Sequence, residues 1–178
     1  MTAGKRWAFL INLVGGIAVL VSYAYGLATH PELRDEVWGG VPHPLRGFYT
    51  VSMLSAAVGY FLFGFFVLFR VDAATARVGR WAGFGLFTVL YALILIPSAL
   101  WMPLTFEMIE SPGSGLWYAI RGVLGTVGLA SLLMLWAILW VDAPGSRASR
   151  GVAAVGCVLF SIQTALLDGL IWPYYFPF

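Results

Sequence analysis

Five apolar stretches constrain this chain most, because each is long enough to cross the hydrocarbon core of a bilayer, which takes about 20 residues. They run from about Trp7 to Leu27, Phe48 to Leu68, Trp81 to Leu104, Leu116 to Val141 and Gly151 to Trp172. Turns rich in proline and glycine separate them. The sequence therefore predicts an all-α membrane protein, with residues 1–178 forming a single bundle of five transmembrane helices.

The composition excludes several other classes of protein. Charged residues make up only 10% of the chain, whereas a soluble domain has about 25%. The net charge of +2 is spread along the chain, which excludes a nucleic-acid partner. The lone Cys157 has no partner for an internal disulfide, and no catalytic or metal-binding motif occurs. We therefore predict neither a metal site nor a catalytic residue.

The basic residues predict the orientation, since Lys and Arg concentrate on the cytoplasmic side. One side of the predicted bundle carries Lys5, Arg6, Arg70, Arg77, Arg80, Arg147 and Arg150. The other side has Arg34 and Arg46, with Arg121 just inside the fourth span. This multi-pass protein is thus expected to have a cytoplasmic N-terminus and an external C-terminus. The external loop at about 28–47 is longer than a connector needs.

Small residues recur every four positions in three of the spans. They are Ser52 and Ala56, Ser55 and Gly59, then Gly122, Thr126 and Ala130 with Gly125 and Gly128 beside them, and Ala153, Cys157, Ser161 and Ala165. Because lipid offers no hydrophobic drive for helix association, such residues favour close backbone contact. We expect spans two, four and five to form the core, with a homodimer face as the alternative.

Ionisable residues near the external end are candidate site residues, because an unpaired charge in a span costs several kcal/mol. Asp168 lies late in span five, Arg121 early in span four and Glu107 just after span three. With His43 and Arg46 of the loop, they could surround a cavity. Alternatively, Arg121 extends to the headgroups, Glu107 is an ordinary loop acid, or Arg121 and Asp168 pair only to lock helices.

Two prolines shape span three around Trp101. Pro97 and Pro103 each remove a backbone hydrogen bond and bend the helix. A bent helix that presents a tryptophan can line a pocket for a flat apolar ligand. The alternative is a kink that only serves packing.

Three segments resemble the TspO/MBR family (translocator protein, or tryptophan-rich sensory protein). Residues 100–106, Leu-Trp-Met-Pro-Leu-Thr-Phe, are similar to the family's Leu-Trp-x-Pro-x-Phe-Phe segment. Residues 164–168 are similar to its Thr-x-Leu-Asn stretch, with Asp168 in place of Asn, and residues 41–45 lead into span two as its Pro-Pro loop does. Trp38 is the only tryptophan of this loop.

The resemblance implies a pocket inside the bundle for a planar hydrophobic ligand such as a porphyrin, another tetrapyrrole or a sterol, closed by the first loop. A transport or regulatory role would follow, with membrane lipid and the ligand as partners. The resemblance places Trp101, Pro103, Asp168 and Pro42 in or near the pocket. With the residues of the loop and the charged cluster, the candidate ligand-binding set is Trp101, Pro103, Asp168, Arg121, Glu107, Trp38 and His43.

Two other functions stay open at this point. The chain could be a non-catalytic accessory subunit of a larger membrane complex, attached through a small-residue face. Less favoured is an intramembrane enzyme that modifies lipid with Asp168 and Glu107 as acid and base, since neither stands in a diagnostic spacing.

Overall fold

The computed structural model describes residues 2–80, 82–142 and 147–177 and confirms the predicted bundle of five apolar helices, each long enough to span a membrane. The helices are α1 (Ala3–Thr29), α2 (His43–Phe65), α3 (Gly85–Glu110), α4 (Ser114–Trp140) and α5 (Arg147–Ser161). Helix α2 continues as a π-helix over Phe66–Arg70. Helix α5 continues as the π segment (Ile162–Ile171) and ends in α6 (Trp172–Tyr175). Trp81, the predicted start of span three, and the predicted turn at 143–146 lie outside the described residues.

The helices pack in the order α1, α3, α4, α5, α2 around the bundle. Helix α1 lies along α3 and buries only Ala8 and Gly26. It meets α2 in few places, one of which is the hydrogen bond from the Tyr60 hydroxyl to Asn12. A seam between α1 and α2 therefore runs along one side of the bundle.

Helices α2, α4 and α5 make the close contacts that the small residues predict. A Cβ atom on Gly59 would overlap the carbonyl oxygen of Gly156, and one on Gly156 would lie 2.7 Å from that of Gly59. On α4, a Cβ on Gly128 would lie 2.9 Å from the Cα of Ala165. Gly125, by contrast, faces open space. Helix α4 thus approaches α5 through Gly128, and part of its small-residue stripe is left uncovered.

A small sheet closes the end of the bundle that holds the N-terminus, which we call the basic end. Strands β1 (Arg77–Val78), β2 (Ala82–Gly83) and β3 (Val141–Asp142) form an antiparallel sheet in the order β2-β1-β3. Strands of two residues are too short to leave a pattern in the sequence, and the sheet was not predicted. It joins the connection between α2 and α3 to the end of α4.

A turn at Asp72 begins the connection to β1. The backbone N–H of Ala74 and the hydroxyl of Thr75 donate to its carboxylate at 3.1 and 2.9 Å. These bonds hold the pKa of Asp72 below its usual value, because they favour the charged form. What the turn contributes to stability is therefore present above the ordinary pKa of an aspartate and is lost as the pH falls through the lowered one.

Two helix ends differ most from the prediction. Helix α3 continues through Pro97 and Pro103 to Glu110, six residues beyond the predicted end, so that Glu107 is helical. Within a transmembrane helix, neighbouring hydroxyls can bond carbonyls close to a proline, and here the Ser98 hydroxyl donates to the Ile94 carbonyl at 2.7 Å. Helix α2 begins at His43, earlier than predicted, with a proline in its first turn, a position that proline favours.

The α2–α5 contact generates the first prediction. Replacing Gly59 with Ala should lower the free energy of unfolding by about 1–3 kcal/mol, because the added methyl meets a backbone carbonyl that cannot move aside without separating the helices. The matched control is Gly125→Ala, which adds the same atom to a helix in open space and should leave stability equal or slightly higher. Thermal unfolding in detergent, followed by circular dichroism, measures both. Equal melting of the two variants would contradict the packing argument.

Candidate functional site

The end of the bundle opposite the basic end is closed by the cap, which we define as residues 30–42. The cap contains short 3₁₀ turns at Pro31–Leu33 and Glu36–Trp38. It is bonded to the C-terminal part of the chain: the indole N–H of Trp172 donates to the Val37 carbonyl at 3.0 Å, and the Gly40 N–H donates to the Tyr175 carbonyl at 2.9 Å. The first loop therefore forms an ordered cover.

Beneath the cap lies a group of rings that we call the aromatic cluster: Trp101, Trp117, Trp172 and Phe176. The ring centroids of Trp172 and Phe176 are 4.7 Å apart, and Trp101 meets Trp172 at 5.8 Å, edge to face. Trp117 stacks on Phe176 at 5.6 Å. Rings from α3, α4 and α6 thus converge at one level of the bundle.

The π segment positions Asp168, the most informative polar residue of the span. The side-chain amide of Gln163 donates to its carboxylate at 2.8 Å. Residues five apart in an α-helix point about 140° away from each other, whereas the wider π turn, with its i to i+5 period, brings them to the same face. The local widening of the helix therefore makes this hydrogen bond, and π turns of this kind occur frequently at functional sites.

Asp168 is half-buried, and its interactions with residues of α1 and α2 assign it to the seam between these helices. It interacts electrostatically with Tyr23 of α1 and Tyr49 of α2. The ring of Tyr23 lies 5.6 Å from that of Trp101, which links the acid to the aromatic cluster. Asp168 is thus flanked by two phenol rings and lies close to the aromatic cluster.

Two deeply buried polar atoms beside this arrangement lack hydrogen-bond partners in the described part of the chain. They are the indole nitrogen of Trp101 and the side-chain oxygen of Gln163, in residues that are 8% and 4% exposed. An unpaired buried donor or acceptor costs about 1–3 kcal/mol. The neighbouring Thr164 is paired, since its hydroxyl bonds to Ser131 at 3.0 Å. The site therefore presents one open donor and one open acceptor.

A cleft of about 230 Å³ opens at the rim of the cap. It is lined by Glu36, Gly39, Met108, Ile109, Pro112, Phe176 and Pro177. Pockets for drug-sized ligands are larger, about 300–1,000 Å³. A planar ligand that used this cleft would also have to displace Phe176, the outermost ring of the aromatic cluster.

Three of the predicted site residues take part in this arrangement. Trp101 lies in the aromatic cluster and Asp168 at the seam. Trp38 of the cap meets Tyr49 edge to face at 6.3 Å, and the Arg46 guanidinium lies 5.6 Å from its ring. They belong to the same end of the bundle, as the alternating helix directions predict.

The structure does not bring the other predicted residues to Asp168. Arg121 is exposed, with its guanidinium 5.8 Å from the ring of Trp117, and no ion pair joins it to Asp168. Glu107 and His43 are exposed on α3 and α2, as is Pro103. The expected cluster of opposite charges around a cavity is therefore absent from the described residues. The reason is rotational: these side chains have the right depth but point away from the seam.

Sequence reasoning missed six residues of the site: Tyr23, Tyr49, Trp117, Gln163, Trp172 and Phe176. The sequence does give a hint of the two tyrosines, since each is a polar aromatic residue about six residues inside the capped end of its helix. Trp172 lies near the end of its span, where aromatic residues are typical of the membrane interface, so its position alone does not point to a site. The π segment left no signal in the sequence, so the alignment of Gln163 with Asp168 could not be predicted.

We found no match to this chain among protein-family models, curated proteins or solved structures.

The cap contacts generate the second prediction. Gly40→Ala should loosen the cap, because a Cβ there would lie 2.5 Å from the Tyr175 carbonyl oxygen. Tryptic cleavage after Arg34, an exposed residue of the cap, should become several-fold faster in micelles. The control is Gly47→Ala in α2, where a Cβ meets nothing within 4 Å and cleavage should be unchanged. Identical cleavage rates in all three proteins would show that the cap does not depend on this contact.

Proposed function

We propose that this membrane protein binds a planar hydrophobic ligand, porphyrin- or sterol-like, at its capped end and has a transport or regulatory role, as the resemblance to the TspO/MBR family implies. The observation that carries the proposal is the Trp101 indole N–H, which is buried among aromatic rings and has no hydrogen-bond partner in the described residues. Ring faces provide a stacking surface for a flat molecule. An open donor provides a point at which the ligand is oriented.

The seam between α1 and α2 supports access from the bilayer. Tyr23 and Asp168 are both half-buried there, whereas the water-facing side is covered by the cap. A ligand dissolved in lipid would reach the aromatic cluster by displacing the Tyr23 ring. Such access suits a sparingly soluble ligand that partitions into the membrane before it binds.

One observation favours the alternative function, that of an accessory subunit. On α4, Gly122 and Gly125 are exposed, and a Cβ on either would meet nothing within 4 Å. A helix of another subunit could approach the backbone of α4 closely at this face. The catalytic alternative has no comparable support, because Glu107 is exposed and neither a hydrogen bond nor an ion pair joins it to Asp168 in the described residues.

The third prediction tests binding itself. Purified protein in lipid nanodiscs is titrated with protoporphyrin and, separately, with the fluorescent sterol dehydroergosterol, while tryptophan emission is followed. We expect saturable quenching by at least one probe. Trp101→Phe, which retains a ring but removes the N–H, should raise the half-saturating concentration about 3- to 10-fold, in line with the loss of one hydrogen bond to the ligand.

The matched control is Trp140→Phe, since Trp140 is exposed at the basic end and should not alter the half-saturating concentration. Because bound ligand quenches several tryptophans, the concentration dependence is compared and not the total amplitude. Quenching that rises linearly with both probes, as in empty nanodiscs, would refute the proposed function. Co-purification of a stoichiometric partner protein together with that result would favour the accessory role.

A further inference from the structure

The polar atoms near the aromatic cluster are mostly acceptors. Asp168 contributes a carboxylate, of which one oxygen receives the Gln163 amide. The side-chain oxygen of Gln163 accepts nothing from the described residues. The hydroxyls of Tyr23 and Tyr49 can accept as well as donate. Against these stands one open donor that cannot accept, the indole N–H of Trp101.

Three of the basic side chains described at this end are engaged elsewhere. Arg46 pairs with Asp35 at 3.2 Å, and His30 pairs with Glu110 at 3.3 Å. Arg34 donates to the Leu27 carbonyl at 2.7 Å. The two that remain, Arg121 and His43, are exposed, and neither forms a hydrogen bond or an ion pair with Asp168 in the described part of the chain. The electrostatic environment at Asp168 is therefore set by the acid and neutral dipoles, without a compensating cation.

The open atoms beside Asp168 restrict which polar group a ligand can place there. A ligand carboxylate would leave the Gln163 oxygen without a donor, and it would be repelled whenever Asp168 is ionised. A hydroxyl or an ammonium group would donate to that oxygen and to the carboxylate, and an ammonium would also supply the missing positive charge. The requirement follows from which atoms are open and not from the shape of a cavity.

Resting on the proposed function, we infer that its ligand enters with a hydrogen-bond donor foremost: an uncharged alcohol or an amine on a flat apolar body, held by Asp168 and Gln163. Within the two ligand classes considered above, this selects a sterol-like alcohol or a planar amine over the carboxylate edge of a porphyrin. The donor lies at the seam, and the flat body lies against Trp101 and Tyr23.

The experiment, which gives the fourth prediction, uses three fluorescent probes with one ring system. Pyrenemethylamine, pyrenemethanol and pyrenecarboxylic acid differ only in the polar group. Each is titrated at pH 7 into wild-type protein in neutral-lipid nanodiscs, and energy transfer from tryptophan to pyrene reports binding after subtraction of empty nanodiscs. We expect the amine to bind most tightly and the alcohol next, both about tenfold or more tightly than the acid, since each offers a donor to the Gln163 oxygen and the ammonium also pairs with the Asp168 carboxylate.

The variant Asp168→Asn separates the charge from the rest of the site. It should abolish the advantage of the amine over the alcohol, while Asp142→Asn, the same change in β3 at the basic end, should leave the order unchanged. Equal affinity for all three wild-type probes, or an unchanged order in Asp168→Asn, would overturn the inference and leave the proposed function intact. If the Asp168→Asn variant does not fold, the comparison of the three probes on the wild-type protein tests the inference by itself. Failure of every probe, together with the sterol and the porphyrin, would overturn both.

Discussion

In a bilayer, apolar side chains gain nothing by leaving lipid for the interior of the bundle, so the backbone contact between α2 and α5 determines what the other helices can do. Gly59 and Gly156 allow these two helices to touch, and any larger residue would separate them. The contact uses one face of α2, while α1 packs against α3 and meets α2 in few places. Because α2 packs on α5 and α1 packs on α3, a seam is left between α1 and α2. Asp168 is partly exposed within this seam.

The polar groups at the seam differ from a hydrogen-bond network that only holds helices together. In such a network, buried donors and acceptors satisfy one another, as Thr164 and Ser131 do deeper in the bundle. At the seam, Gln163 stabilises one oxygen of Asp168 but retains an open acceptor, and the indole N–H of Trp101 stays open as well. A leucine at 168 would remove the cost of the acid. Under the proposed function, a ligand would supply the bonds that the acid and the open atoms beside it lack.

Depth along a span could be predicted from the sequence, but rotation about its axis could not. Hydropathy and alternating helix direction placed Trp101, Asp168 and Arg121 at one end, and the structure agrees. In a soluble protein, the more apolar face of a helix indicates which side chains face the interior. A transmembrane helix barely has such a face, since lipid and the protein interior are equally apolar. Arg121 shows the consequence: its guanidinium lies over the ring of Trp117, one turn earlier on α4, and no ion pair joins it to Asp168 in the described residues. The π segment also rotates its residues relative to a regular α-helix, and no residue pattern predicts this rotation.

A ligand that enters past the cap must disrupt different contacts from one that enters through the seam. On the cap side, the way is closed by bonds from Trp172 to Val37 and from Gly40 to Tyr175, each worth about 0.5–1.5 kcal/mol net, and by close contact of the backbone at Gly40. On the seam side, no hydrogen bond described here holds the Tyr23 ring, and a rotation of one side chain exposes the aromatic cluster. Access from lipid is therefore the less costly route. It also favours the chemistry that Asp168 selects, because alcohols and planar amines partition into a bilayer far more readily than dicarboxylates do.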